Sequence, residues 1–397
     1  MKKNILFVIP SLAAGGGEKS LVSLLNQMDY DRYNVDLFLF HHDGLFMEYL
    51  PKQVNILPLP EEYQLFSKPL FKSVTALLMK GKLQIAWNRV WFAIKNRIIQ
   101  NVSKREQYSW KHLSTSFNNL DKYYDAAIGF LEKTSIYYCV EKVNANRKIG
   151  WIHNDYDKLG MNPEFDLPYF NQLNKIVTVS EECANVFKKR FPDQKDKVDL
   201  MYNVVSPKMI HQMAQEQTDV FQRRKEEVII LTIARLHPQK GLELAVESCK
   251  ELINKGYKIR WFVIGEGDER EKLTKLINKN KLEQSFILLG LKANPYPYLK
   301  QADLYVQTSR FEGKSIAIDE AKILHKPIIV TNFSTARDQI TDGHDGLIVT
   351  MNGKGVVAGI EKVITKKELQ GTLINNLKKV YLGTEEEVNK LYSFIAR

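Results

Sequence analysis

Arg235 and Lys240 lie in ARLHPQKGLELAVE, directly after the apolar run VIILTIA, and Gly241 opens an amphipathic helix behind them. Two cations in such a loop, beside a helix N-terminus, can grip a diphosphate from two directions. Taken alone, the same loop also reads as a basic β-to-α connection without a ligand. Further on, QTSRFEGKSIAIDEAKILHKPIIVT places Glu312 in the loop after DLYVQT and Glu320 inside the next helix. Their separation in sequence subtends about 80° around a helix and about 12 Å along it. Such a pair cannot share a proton or chelate one ion, but it can hold two separated parts of an extended ligand. The amides of Lys314 and Ser315, at the start of that helix, would point toward an anion between them. SFILLG ends at Gly290, where bare backbone could face a flat base. In VIGEGDEREKL, Gly265 and Gly267 turn the chain, and Asp268 to Glu271 most simply cap the helix that follows.

The first half carries SLAAGGGEKS after the apolar run NILFVI. A P-loop needs glycine directly before Lys-Ser, and Glu18 stands there instead. A dinucleotide fingerprint would put its third glycine at Ser20. What remains is a buried strand over Ile5–Ile9, a turn at Gly15, Gly16 and Gly17, and a helix from Ser20 onward. Amides at that junction suit an anion, and an ordinary tight turn fits the same residues.

Strand-like runs alternate with helical ones along most of the chain, which predicts parallel sheets covered on both faces. With 397 residues, two domains are expected, divided at the polar stretch between Ser206 and Glu227. Ligands in such folds sit outside the carboxyl ends of the strands. Cys139, Cys183 and Cys249 form neither a metal spacing nor a disulfide framework, which fits a reducing cytoplasm. MKKNILFVIP has a short apolar stretch and no small-x-small cleavage site, and no segment reaches the length needed to span a bilayer. The net charge of +11 is concentrated: Tyr63 to His112 holds ten lysines and arginines against Glu106 alone. Trp87, Trp91, Ile94 and Ile98 recur there on one helical face. That face packs on the domain's own core or meets an anionic membrane surface, with nucleic acid as the remaining partner for so basic a stretch.

The paired glutamates in EGKSIAIDE, the Arg235/Lys240 loop, the GGGE turn, WIHND, TVSEECANVF and MYNVV together resemble glycosyltransferase family 4. The resemblance is strongest from Val228 to Val349 and departs from the common pattern at Lys314-Ser315 and Asn203-Val204. It implies an α/β chain of GT-B fold, two doubly wound Rossmann-like domains facing each other across a cleft. Residues 1–205 would form the acceptor domain with a basic insertion at about 63–112, and 206–380 the nucleotide-sugar donor domain. Residues 381–397 would form a helix crossing back to the first.

The resemblance implies roles in turn. Arg235 and Lys240 would bind the donor diphosphate and stabilise the charge of the leaving group. Glu320 would hold the ribose hydroxyls, Glu312 the transferred sugar, and Gly16 and Gly17 would approach the diphosphate. Gly290, Lys314 and Ser315 complete the donor-binding set, and His153 would contact the donor sugar or merely cap its strand. The implied reaction is retaining transfer of a hexose or N-acetylhexosamine from a UDP-sugar to a saccharide acceptor, lipid-linked, in surface or capsular polysaccharide synthesis. No cofactor, metal or nucleic acid is expected; Asp29/Asp31 and Asp155/Asp157 have metal-binding spacing, but so short a pattern arises often by chance. The expected location is cytoplasmic, peripheral on the inner face of the membrane. A non-catalytic GT-B partner subunit that steadies a true transferase is the alternative.

Overall fold

The computed structural model describes residues 2–13, 15–216 and 220–396. It divides into two compact units, Met1–Ala13 with Gly17–Tyr202 and Glu386–Arg397, and Ala14–Gly16 with Asn203–Glu385. The division falls at Tyr202/Asn203, three residues before the expected boundary at 205, and the return to the first unit begins at Glu386 instead of 381. Residues 217–219 of the expected linker lie outside the described residues.

The first unit is a parallel sheet of β1 (Lys3–Ile9), β2 (Tyr33–Leu39), β3 (Asn55–Ile56), β4 (Tyr123–Gly129), β5 (Asn144–Ile152), β6 (Lys175–Thr178) and β7 (Val198–Leu200). Their order is β3-β2-β1-β4-β5-β6-β7. The winding direction therefore reverses between β1 and β4, and the loops leaving those strands diverge there. After β1 comes helix α1 (Gly16–Asn26). Between β3 and β4 the chain inserts α2 (Glu61–Phe66), α3 (Leu70–Met79), α4 (Leu83–Ile98) and α5 (Val102–Leu113). This insertion has a small core of its own, built on Leu65, Leu77 and Ala86. The last helix, Val388–Ala396, belongs to the same unit: the Tyr392 ring stacks on Tyr33 at 4.9 Å and its hydroxyl accepts from the Asp29 amide at 2.7 Å.

The second unit contains β8 (Val228–Ile233), β9 (Ile259–Ile264), β10 (Phe286–Gly290), β11 (Leu304–Gln307), β12 (Ile328–Thr331) and β13 (Leu347–Val349), ordered β10-β9-β8-β11-β12-β13. Every pairing is parallel. Side chains alternate between two cores, as the strand period of two requires. Ile230, Trp261, Val263, Leu304 and Val306 enter one core. Ile229, Leu231, Phe262, Ile264 and Tyr305 enter the other. With both faces buried the strands read as continuous apolar runs, which is why they were legible.

Here the reversal lies between β8 and β11. The loop after β9 presses on the loop after β8, and glycine makes this feasible. Gly265 has φ +152°, and a Cβ there would sit 1.9 Å from the Ala234 carbonyl oxygen. Gly265→Ala should therefore lower the unfolding free energy by more than about 1 kcal/mol. Urea denaturation followed by circular dichroism measures this; an unchanged midpoint would show that the loop yields freely.

Candidate active site

Gly241, at φ +57°, lets the loop after β8 lie against the end of β11; a Cβ there would be 2.3 Å from the Thr308 carbonyl oxygen. Three hydrogen bonds fasten the two loops. Thr308 Oγ1 donates to the Lys240 carbonyl at 3.0 Å, Arg310 N to the Gln239 carbonyl at 2.7 Å, and Gln239 Nε2 to the Phe311 carbonyl at 2.9 Å. As a result Lys240 Nζ lies 2.5 Å from Glu312 Oε1. The same oxygen accepts from Ser309 Oγ at 2.5 Å and Gln307 Nε2 at 3.0 Å. Glu312 is 5% exposed, and its Oε2 accepts from no described residue. Buried carboxylates need such partners, and three donors on one oxygen fix the group's orientation.

Arg235, in the same loop as Lys240, is exposed and pairs with no carboxylate among the described residues. Its guanidinium is available to an anion. Lys240 and Glu312, expected to serve different parts of a donor, are instead direct neighbours. Glu320 lies in the helix Ile316–Ile323, is 2% exposed, and accepts from the Tyr296 hydroxyl at 3.0 Å. Lys314 Nζ is 3.9 Å from Asp319 Oδ2.

Ser315 requires a correction. Its amide, expected to point toward an anion, donates to Gln339 Oε1 at 2.8 Å, while Gln339 Nε2 donates back to the Ser315 carbonyl at 2.8 Å. A buried helix start must satisfy its first amides, and a distant glutamine does so here. The Ser315 hydroxyl instead donates to Gln307 Oε1 at 2.9 Å. Gln307 is thus a hub that the sequence did not reveal; its only signal was an amide ending an apolar strand. Gly290 has φ +74°, and a Cβ there would lie 3.3 Å from Glu266 Oε1, in the Glu266–Arg270 ion pair. Backbone conformation alone accounts for glycine at this position.

Gly16 and Gly17 open α1, and the division between the units falls between them. A Cβ on Gly17 would come within 2.7 Å of the Leu131 side chain and 3.9 Å of His153 Nδ1. The close packing of α1 on the loop after β4 and the end of β5 is thus enough to require glycine there. His153 is 8% exposed and stacks near Phe130 and Trp151. Its Nε2 is buried and has no partner among the described residues. Burial pushes the imidazole pKa down to about 3, a shift that a hydrogen bond to the Phe130 backbone only partly offsets. Glu132, a second residue the sequence left unmarked, caps this strand end. Its Oε1 accepts from the amides of His153 at 2.5 Å and Asn154 at 2.9 Å, and burial raises its pKa.

Among the described residues no group of three His, Cys, Asp or Glu side chains could hold a metal ion. Asp155 Oδ1 accepts the amides of Asp157 and Lys158, Asp157 pairs with Arg190 at 2.7 Å, and Asp29 Oδ1 accepts the Asp31 amide. Turn capping and surface pairing account for those aspartates.

Residues 213–380 match the family of glycosyl transferases group 1. Over 174 residues the chain is 28% identical to an uncharacterized glycosyltransferase, MJ1059, of Methanocaldococcus jannaschii, covering 43% of each. Over 184 residues it is 27% identical to an N-acetylgalactosamine-N,N'-diacetylbacillosaminyl-diphospho-undecaprenol 4-alpha-N-acetylgalactosaminyltransferase of Campylobacter jejuni, covering 46% of this chain and 48% of that one. These matches span less than half the length of the curated relatives. The crystal structure of Anabaena HepE in complex with UDP-glucose superposes with a TM-score of 0.67 at 15% identity, over 99% of this chain and 98% of that one. Parallel sheets of this order and that likeness define a GT-B fold. The chain is a GT-B protein whose second unit carries a glycosyl transferases group 1 region.

The neutral, buried His153 has a consequence for stability. Between pH 3 and the ordinary histidine pKa near 6.5, only the unfolded chain takes up this proton, so stability rises with pH across that window. His153→Gln should flatten that part of the curve, read as urea midpoints at a series of pH values. An unchanged slope would show that the ring protonates in the folded chain.

Proposed function

We propose that the protein is a retaining glycosyltransferase that moves a hexose or N-acetylhexosamine from a UDP-sugar to a saccharide acceptor. The Lys240–Glu312 pair beside the exposed Arg235, where the second unit's winding reverses, carries this reading. Breaking the bond between sugar and diphosphate leaves a cation-like carbon and builds negative charge on the leaving phosphate. Fixed cations aimed at that phosphate lower the barrier because no solvent need reorganise around it. Arg235 and Lys240 are assigned this task, and they supply the charge that a divalent ion supplies in metal-dependent transferases.

Glu312 holds Lys240 with Oε1 and keeps Oε2 for a sugar hydroxyl. Glu320, steadied by Tyr296, takes the ribose hydroxyls, and Gly290 and Lys314 line the nucleotide site. The α1 turn at Gly16 and Gly17 and the neutral His153 are assigned to substrate contacts, His153 through its unpartnered Nε2. HepE supports UDP as the nucleotide, and the diphospho-undecaprenol in the Campylobacter relative's name supports a lipid-linked acceptor. Such an acceptor puts the reaction at a membrane surface on the cytoplasmic side.

Lys240→Ala and Glu312→Gln should each cut transfer by roughly a hundredfold or more, with an unchanged circular dichroism spectrum. The assay is release of UDP from a panel of UDP-sugars, paired with thermal shift. Near-normal turnover in either variant would refute its role. Absence of stabilisation by every nucleotide sugar would favour a non-catalytic partner subunit.

A further inference from the structure

Helix α4 presents apolar side chains on two opposite sides. Toward the insertion's core it presents Ala86, which packs with Leu65 and Leu77, and Phe92, whose ring meets Phe66 at 5.3 Å. Arg89 lies on this side too, its Nε donating to the Phe66 carbonyl at 2.7 Å. At about 100° per residue, Leu83, Trp87, Trp91, Ile94 and Ile98 share a narrow stripe on the opposite side. There Leu83 is 67% exposed, Trp87 64% and Ile98 70%. Trp91 is 38% exposed and stacks on His112 of α5 at 6.4 Å, but none of Leu83, Trp87, Trp91 and Ile98 enters the insertion's core of Leu65, Leu77 and Ala86.

Isolated apolar side chains on a surface need no explanation, but a continuous stripe along one helix marks a contact. The charge beside it selects the partner. Lys95, Arg97, Lys104 and Lys111 have no carboxylate partner among the described residues, whereas Lys80 and Lys82, at the α3–α4 turn, pair with Glu61 and Glu62. Lys95 and Arg97 lie in the last turn of α4, Lys104 in the first turn of α5 and Lys111 in its last. Tryptophan favours the headgroup level of a bilayer, and a basic helix with one apolar face lies in that plane.

We propose that the outward face of α4 docks on an anionic lipid bilayer, with Trp87, Trp91 and Ile98 at the acyl boundary and Arg97 and Lys104 at lipid phosphates. The inference deepens the proposed function by giving a lipid-linked acceptor its surface, and it rests on that reading only for its purpose. Its physical basis is the helix itself.

The test uses the full chain with vesicles of phosphatidylglycerol and phosphatidylcholine, and with phosphatidylcholine alone, without donor or acceptor. Trp110, Trp151 and Trp261 are fully buried, so a change in tryptophan emission reports Trp87 and Trp91. Anionic vesicles should sediment the protein and shift its emission to the blue; neutral vesicles should do neither. A Trp87→Ser/Ile98→Ser variant should partition on the order of tenfold more weakly while releasing UDP from a soluble donor at the wild-type rate. Failure of the anionic vesicles to sediment the protein would overturn the proposal. So would a variant that binds like wild type. A dimer that the same substitutions dissociate, without vesicle binding, would give the stripe to a second copy of the chain and also overturn it. Sedimentation is read without catalysis, so either idea can fail while the other stands.

Discussion

The ion pair between Lys240 and Glu312 depends on two loops leaving adjacent parallel strands at the point where the winding reverses. Neither residue could reach the other without Gly241, whose left-handed backbone brings the loop after β8 against the Thr308 carbonyl. A nearly buried carboxylate is costly unless paired. Gln307, Ser309 and Lys240 together meet that requirement, and all three act on one oxygen. The pair is therefore a built device that leaves one carboxylate oxygen and one neighbouring guanidinium uncommitted. This is the arrangement expected of a site awaiting an anionic, hydroxyl-rich ligand.

Much of the fold was legible because each sheet of the two units is buried on both faces. Continuous apolar runs such as VIILTIA and DLYVQT mark strands without ambiguity, and the helix expected after Gly241 runs over Leu242–Asn254. Lys240 and Glu312 could each be picked out, since a cation beside a helix start and a carboxylate after a strand carry local signals. Their pairing could not. It depends on strand order, which joins positions 72 residues apart.

The misreadings share that cause. Ser315 sits where a free amide is expected, yet Gln339 arrives from the far side of β12 to take it. Gln307 and Glu132 are single polar residues at strand ends, with no spacing to mark them. In α4 the strongest stripe was found, but periodicity alone cannot say which way a stripe faces. The inward side, with Ala86, Phe92 and Arg89, is too mixed to register as apolar, although it is the side that packs.

In each unit, polar groups gather at the carboxyl ends of the strands flanking the reversal, and a glycine lets those loops meet. In the first unit Gly17 admits Leu131 and His153; in the second Gly241 and Gly265 admit the loops around Lys240. The most direct measurement is a crystal structure of the protein with bound UDP. The account predicts the diphosphate within hydrogen-bond distance of Arg235 and Lys240, with Glu312 still held by Gln307 and Ser309. A nucleotide bound elsewhere in the second unit, with both cations turned away from its phosphates, would contradict it.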